Sequence, residues 1–206
     1  MPRRLLALAF VGLGFVASPP YTTAQAPAVA ELETVEEAPQ KGFNYPYLLR
    51  WPQSGEIGSS FLLVEPNNTG VSTDDFAVHI AWAERNARTG FGAFVARSLN
   101  IPLLIPVLPR PRTGWQVYTH LLDRDTLLVD AGATRRIDLQ LIPMIDDAIA
   151  RLRARQILVQ PEVLMTGFSA SGTFVNRFLM LHPDRVHAVA AGGVHGMLIL
   201  PVDTLD

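Results

Sequence analysis

Short apolar runs alternate with amphipathic segments along most of this chain. Mostly apolar residues occupy positions 61–64, 101–108, 163–165 and 186–191. Such runs are typical of strands that are buried on both faces of a sheet. Residues 48–51 predict a further strand, which we place at the edge of the sheet because Pro52 stops it.

Segments with apolar residues at helical spacing separate these runs. They lie at residues 76–87, 137–152 and 174–181. Asp74 and Asp75 stand where the first helix would begin, and Pro183 follows the last one. Strands that alternate with helices predict an α/β fold, with a mostly parallel sheet and helices on both faces. Reactive groups in such folds lie at the carboxyl ends of the strands.

Composition narrows the classes of function. The 206 residues are 49% hydrophobic and 17% charged, which predicts one main globular domain. A net charge of −2 gives no sign of a nucleic-acid partner. The absence of cysteine excludes disulfides, thiolate metal sites and a cysteine nucleophile. We predict neither a metal nor a cofactor, because no histidine or carboxylate cluster has ligand spacing and no phosphate-binding glycine loop is present.

The first residues have the layout of a secretory signal peptide. Arg3 and Arg4 precede an apolar run at residues 5–17, and small residues around Ala26 offer a cleavage site. The alternative is an uncleaved membrane anchor, but the run of 13 residues is shorter than the ~20 that span a bilayer. We therefore predict an exported protein, periplasmic or secreted, with residues 1–26 as signal and no stable membrane span after their removal.

The segment after the signal is rich in Ala, Glu and Pro. We therefore predict that residues 27–45 form a solvated linker. The remaining residues, 46–206, would form the α/β domain.

The residues most informative about chemistry are Gly167, Phe168, Ser169, Ala170, Ser171 and Gly172. A strand, a sharp turn with a serine between small residues, and then a helix are the context of a nucleophile elbow. The small residues two before and two after Ser169 favour that serine over Ser171 as the nucleophile. The alternative is that either serine merely caps the helix.

A tetrahedral intermediate needs two hydrogen-bond donors for its oxyanion. We predict that one donor is the backbone N–H of Ala170, directly after the nucleophile. The second is expected from the loop after an earlier strand, where Asn67 and Asn68 stand, through backbone N–H groups or an Asn side chain. The alternative is an Asx turn without a catalytic part.

A general base is harder to assign. His182 ends a predicted helix and favours a structural role, and His187 lies in a predicted strand. His195 follows that strand, too early for the base of this fold, and Asp203 and Asp206 are candidate acids by position only.

With these motifs, the chain resembles the N-terminal part of an α/β-hydrolase, and in particular the exported esterase-like hydrolases of bacteria. The resemblance rests on the segment from Phe61 to Gly70 and on the serine motif, and it spans residues 46–200. It implies Ser169 as nucleophile, Ala170 as oxyanion donor, an acid after the next strand and a histidine after the last one. No position of this sequence matches that histidine, so we expect a truncated hydrolase domain.

These observations favour a serine hydrolase that cleaves a small-molecule carboxylic ester through an acyl-enzyme. Without a base, we expect this chain to show weak turnover or none. The alternatives are a non-catalytic exported binding domain of the same fold, or an inactive fragment. The oligomeric state is left open.

Overall fold

A computed structural model describes residues 31–52, 60–67 and 70–194. Six strands form one sheet in the order β1-β2-β4-β3-β5-β6. The strands are β1 (Glu31–Val35), β2 (Tyr47–Trp51), β3 (Ser60–Val64), β4 (Leu103–Pro106), β5 (Val159–Phe168) and β6 (Val186–Gly192). The helices are α1 (Phe76–Thr89), α2 (Phe91–Leu99), the single turn α3 (Arg124–Leu127), α4 (Ile137–Ala154) and α5 (Ala170–Leu181).

The centre of the sheet is parallel. β3 pairs in parallel with β4 and β5, and β5 pairs in parallel with β6, whereas β2 runs antiparallel to both of its neighbours. Val64 pairs with Leu104 on one side and with Met165 on the other. The residues that follow β3, β4 and β5 therefore emerge at the same edge of the sheet, which is where reactive groups lie in such folds.

Two hydrophobic clusters cover opposite faces of the sheet. Side chains from α4 and α5 pack on one face, which includes Val64 and Met165. Side chains from α1 and α2 pack on the other face, which includes Leu63 and Leu103. Alternate residues of the central strands thus enter different clusters, as strand geometry requires. The predicted fold class, a mostly parallel sheet with helices on both faces, is confirmed for the described residues.

Two predictions about the start of the domain are wrong. The predicted linker contains β1, which pairs with β2, and buries Phe43 completely. The predicted edge strand, residues 48–51, lies between β1 and β4 and is buried along its length. Pro52 ends β2 without placing it at an edge, because that proline follows the last ladder residue, Trp51. Residues 1–30 and the predicted signal peptide lie outside the described residues.

A charged network ties the first strands to α4. Asp147 accepts hydrogen bonds from Lys41 at 2.6 Å, from the Tyr47 hydroxyl at 2.7 Å and from Arg151 at 2.7 Å. Arg151 also reaches Glu33 of β1 at 2.7 Å. Glu33, which the sequence pattern assigns to a solvated linker, thus binds a helix that is distant in the sequence.

No helix in the described part of the chain is long and apolar enough to cross a membrane.

We expect Asp147→Asn to lower the free energy of unfolding at pH 7 by about 1–2 kcal/mol. Burial alone would raise the pKa of Asp147, but hydrogen bonds from Arg151, Lys41 and Tyr47 outweigh it and hold the pKa at about 2. Because this pKa is lower in the folded than in the unfolded chain, the stabilisation is present above about pH 4 and is lost as the pH falls through 2. Urea unfolding at several pH values measures the effect.

The matched control is Asp146→Asn on the same helix. The Asp146 side chain is 56% exposed and pairs with Arg185 at the surface, so its loss should cost well under ~1 kcal/mol. Equal losses for the two variants would contradict a special role for the Asp147 network.

Candidate active site

Ser169 joins β5 directly to α5. Its backbone angles are φ 59° and ψ −120°, outside the regions that non-glycine residues favour. The sequence enters the turn from a ten-residue strand and leaves it into a twelve-residue helix, so packing on both sides holds the unfavourable conformation. Backbone strain at a serine between a strand and a helix is the geometry of a nucleophile elbow.

Two glycines allow the strand and the helix to approach this closely. A Cβ atom at Gly167 would lie 2.4 Å from the Ser171 carbonyl oxygen, and one at Gly172 would lie 2.3 Å from the Gly192 carbonyl oxygen. No side chain fits at either position without moving backbone. The sequence pattern predicts Ser171 as the second small position, whereas the tighter contact in the structure is at Gly172, because the Gly192 backbone of β6 lies there.

The hydroxyls of Ser169 and Ser171 differ in what they bind. Ser171 is 1% exposed, and its Oγ accepts from the Phe168 N–H at 3.0 Å and lies 3.0 Å from the Phe168 carbonyl oxygen. Ser169 is half-buried, and among the described residues its hydroxyl has no hydrogen-bond partner. Ser169 stands at the N-cap of α5 but makes no side-chain cap bond. The capping alternative therefore fails for Ser169, and Ser171 braces the turn.

Ala170 occupies the first position of α5, next to the Ser169 hydroxyl. The first N–H groups of a helix have no acceptor within the helix, and the helix dipole makes their end positive. The Ser169 N–H itself is used, because it donates to the Gly192 carbonyl oxygen at 2.9 Å. The arrangement leaves the N–H of Ala170 as a donor suited to an oxyanion formed at Ser169.

Asn67 follows β3, which ends at Val64. Its side chain is 4% exposed, and its Oδ1 accepts from the Leu108 N–H at 3.2 Å. This bond holds the loop after β3 to the segment after β4, so the amide oxygen of Asn67 has a structural task. Asn68 lies outside the described residues.

None of the four described histidines bonds to Ser169. The ring of His79 lies 3.2 Å from the Arg110 backbone nitrogen, and that of His120 lies 2.9 Å from the Leu108 carbonyl oxygen. His187 stacks on Phe61 and lies 3.0 Å from Glu162. His195, Asp203 and Asp206 lie outside the described residues. The described part of the chain therefore contains no base in contact with the elbow.

His182 binds a buried carboxylate. Its Nε2 lies 3.0 Å from Asp138 Oδ2, and Arg136 donates to both oxygens of the same carboxylate at 2.9 and 2.6 Å. Burial would raise the pKa of Asp138, but Arg136 and His182 lower it below its usual value. His182 therefore has a structural role, as predicted. Its side chain stands directly after α5 and binds a carboxylate of α4.

Glu65 is a titratable residue at this edge that the sequence analysis missed. It follows β3 directly, and its Oε2 accepts from the Gly92 N–H at the start of α2, at 3.1 Å. Burial raises the pKa of Glu65 to about 6, although the Gly92 hydrogen bond lowers it. A glutamate at the end of an apolar run, just before Pro66, was the signal that could have found it.

The described residues form an α/β fold in which a mostly parallel sheet carries a strained serine between a strand and a helix, the arrangement of a nucleophile elbow. No group of three or more His, Asp or Glu side chains in the described ranges could hold a metal ion.

No protein-family model matches the sequence, and no curated protein sequence matches it. Solved structures do resemble it. The LpqC poly(3-hydroxybutyrate) depolymerase from Bordetella parapertussis is 18% identical, with 80% of this chain and 51% of that chain covered and a TM-score of 0.47.

Two further solved structures are similar to a comparable extent. The fluorophosphonate-binding serine hydrolase FphF from Staphylococcus aureus is 10% identical, with 81% of this chain and 57% of that chain covered and a TM-score of 0.48. The rice cell wall degrading esterase LipA from Xanthomonas oryzae is 14% identical, with 79% and 41% covered and a TM-score of 0.43. This chain thus spans about half the length of the structures that it matches.

We expect Gly172→Ala to lower the free energy of unfolding by at least about 3 kcal/mol, because the new Cβ collides with backbone that cannot move aside. Urea unfolding measures the loss. The control is Gly114→Ala, where nothing lies within 4 Å of the new Cβ and only the positive φ of 73° is unfavourable, at about 1 kcal/mol. A loss at Gly172 no larger than at Gly114 would contradict the close approach of α5 and β6.

We expect Glu65→Gln to raise the free energy of unfolding at pH 7 by about 1–2 kcal/mol. The folded chain binds the Glu65 proton more tightly than the unfolded chain, so stability falls as the pH rises from about 4.5 to about 6. Glutamine keeps an oxygen for the Gly92 N–H and removes the buried charge.

Unfolding of both proteins between pH 4 and pH 7 tests this expectation. The difference between their free energies of unfolding should be small at pH 4 and reach its full size above pH 6. The control variant Glu37→Gln, at an exposed glutamate, should show no such gain in stability. A difference that is constant across this range would show that the charge of Glu65 is not its cause.

Proposed function

We propose that this protein is a serine hydrolase that acts on small-molecule carboxylic esters through an acyl-enzyme. The observation that carries the proposal is the backbone of Ser169, held at φ 59° between β5 and α5. A capping serine would use its hydroxyl on the helix, whereas this hydroxyl makes no cap bond. The proposed ester specificity comes from the sequence resemblance.

In the proposed reaction, the Ser169 Oγ attacks the ester carbonyl carbon and its proton passes to a base. The carbonyl oxygen becomes an oxyanion, for which the N–H of Ala170 is one donor. When the intermediate collapses, the alcohol leaves with a proton and the acyl group remains on Ser169. Water then attacks the acyl-enzyme, releases the acid and restores the hydroxyl.

The reaction also needs a second oxyanion donor and a base. The loop that contains Asn67 and Asn68 is the proposed source of the second oxyanion donor, because it follows β3 in the sequence and β3 pairs with β5. The proposal assigns no base, because no described histidine contacts Ser169. Export through residues 1–26 is also a proposal, supported by the sequence pattern alone.

A fluorophosphonate probe tests the nucleophile, because it reports covalent attack even where turnover is slow. We expect the folded protein to be labelled at Ser169 and Ser169→Ala to be unlabelled. Ser98→Ala, at an exposed serine of α2 that bonds to Phe94, is the control and should label as the parent does. Tandem mass spectrometry locates the adduct.

Two results would count against the hydrolase. One is a protein with native circular dichroism and no adduct, which would favour a non-catalytic binding domain of the same fold. The other is an adduct that persists in Ser169→Ala, which would place the reactive group elsewhere.

A further inference from the structure

An apolar pocket of about 580 Å³ lies beside the elbow, on the face of the sheet that carries α1 and α2. Its walls include Phe91 at the start of α2, Phe168 and Thr166 of β5, and Ala190 and Gly192 of β6. This volume falls within the range of small-molecule binding sites. The pocket is therefore large enough for a chain of several carbons or a ring.

The lining is apolar in character even where a polar residue contributes. Thr166 is 4% exposed, and its hydroxyl donates to the Ala190 carbonyl oxygen at 3.3 Å. Phe91 and Phe168 are 62% and 64% exposed. Large aromatic side chains open to solvent around a cavity mark a surface that gains free energy when an apolar group covers it.

Small residues of β6 keep the pocket open. A Cβ at Gly192 would lie 2.8 Å from the Phe168 ring, so the ring occupies the space that a larger residue would fill. Ala190 is exposed and stands on the wall facing the cavity. A longer side chain at Ala190 would enter the pocket from the strand.

The wall of the pocket reaches the residue before Ser169. Gly167 and Phe168 of its wall directly precede Ser169, and Gly192 accepts the Ser169 N–H at 2.9 Å. The acyl group is the part of an ester that stays attached to the serine between the two half-reactions. A pocket whose wall includes the residues directly before Ser169 is suited to hold that acyl group.

We propose that this pocket binds the acyl chain of the substrate, and that the substrate class is esters of medium-length or aromatic apolar acids. The proposal rests on the proposed function of Ser169, which it extends. It assigns Phe91, Phe168 and Ala190 as residues that determine acyl specificity.

Equilibrium binding tests the pocket without any turnover. Calorimetry with octanoate and acetate compares a long and a short carboxylic acid, and we expect octanoate to bind at least about tenfold more tightly, since fitted methylenes are worth this much in an apolar pocket. Ala190→Leu should weaken the preference, because the longer side chain takes up part of the cavity that the acid would occupy. Phe91→Ala should reduce it by removing the other wall, and it alters an already exposed residue.

Two controls accompany this experiment. Ala154→Leu makes the same change at an exposed alanine near the end of α4 and should keep the preference for octanoate. Ser169→Ala should also keep it, because the pocket does not depend on the hydroxyl. Equal binding of the two acids to the parent protein, or a preference that survives undiminished in both Ala190→Leu and Phe91→Ala, would overturn the pocket proposal.

Labelling connects the pocket to the nucleophile. Fluorophosphonates with methyl and octyl groups on phosphorus should label Ser169 at rates that differ by at least about tenfold in favour of octyl, and Ala190→Leu should bring the two rates closer together. If neither compound labels Ser169, the proposed hydrolase function fails, while the octanoate measurement still decides the pocket. If Ser169 is labelled without a chain-length preference, the function stands and the acyl-pocket proposal is overturned.

Discussion

The close approach of α5 to the ends of β5 and β6 is the constraint on which the site depends. Ser169 can hold its unfavourable backbone angles only because the strand before it and the helix after it are both packed against the sheet. Gly167 and Gly172 permit that packing, since either would collide with backbone if it carried a side chain. The unbonded hydroxyl of Ser169, the adjacent helix N-terminus and the neighbouring apolar pocket all follow from this single arrangement.

The other edge of the sheet, formed by β1 and β2, is built differently. There, charged side chains join β1 and β2 to α4 through Asp147 and Arg151, and the carboxyl of Asp147 is shared among a lysine, a tyrosine and an arginine. Lys41 and Tyr47 of this network stand far along the chain from the serine motif, yet Tyr47 belongs to the hydrophobic cluster that α4 and α5 share. The fold of the described residues therefore uses steric fit at the elbow and electrostatic pairing near the first strands.

Sequence patterns predicted the central elements well because local information determines them. The strand before Ser169 and the helix after it follow from an apolar run and helical spacing, and the small residues identify the serine. The errors concern residues whose role depends on distant partners. Glu33 looked like part of a solvated linker because Arg151 and Arg155, which bind it, stand more than a hundred positions away. Glu65 was missed for the same reason, since its burial depends on α2.

The buried carboxylate of Asp138 has a mechanical consequence for α5. It binds His182, directly after the last residue of that helix, and is itself held by Arg136 ahead of α4. The elbow fixes the other end of α5 through the Ser169 N–H and the Gly192 carbonyl oxygen. Because both ends of α5 are held by hydrogen bonds, neither end can fray, and the helix connects the site rigidly to the far side of the domain. Opening of the elbow and release of His182 then belong to one cooperative unit rather than to separate local motions.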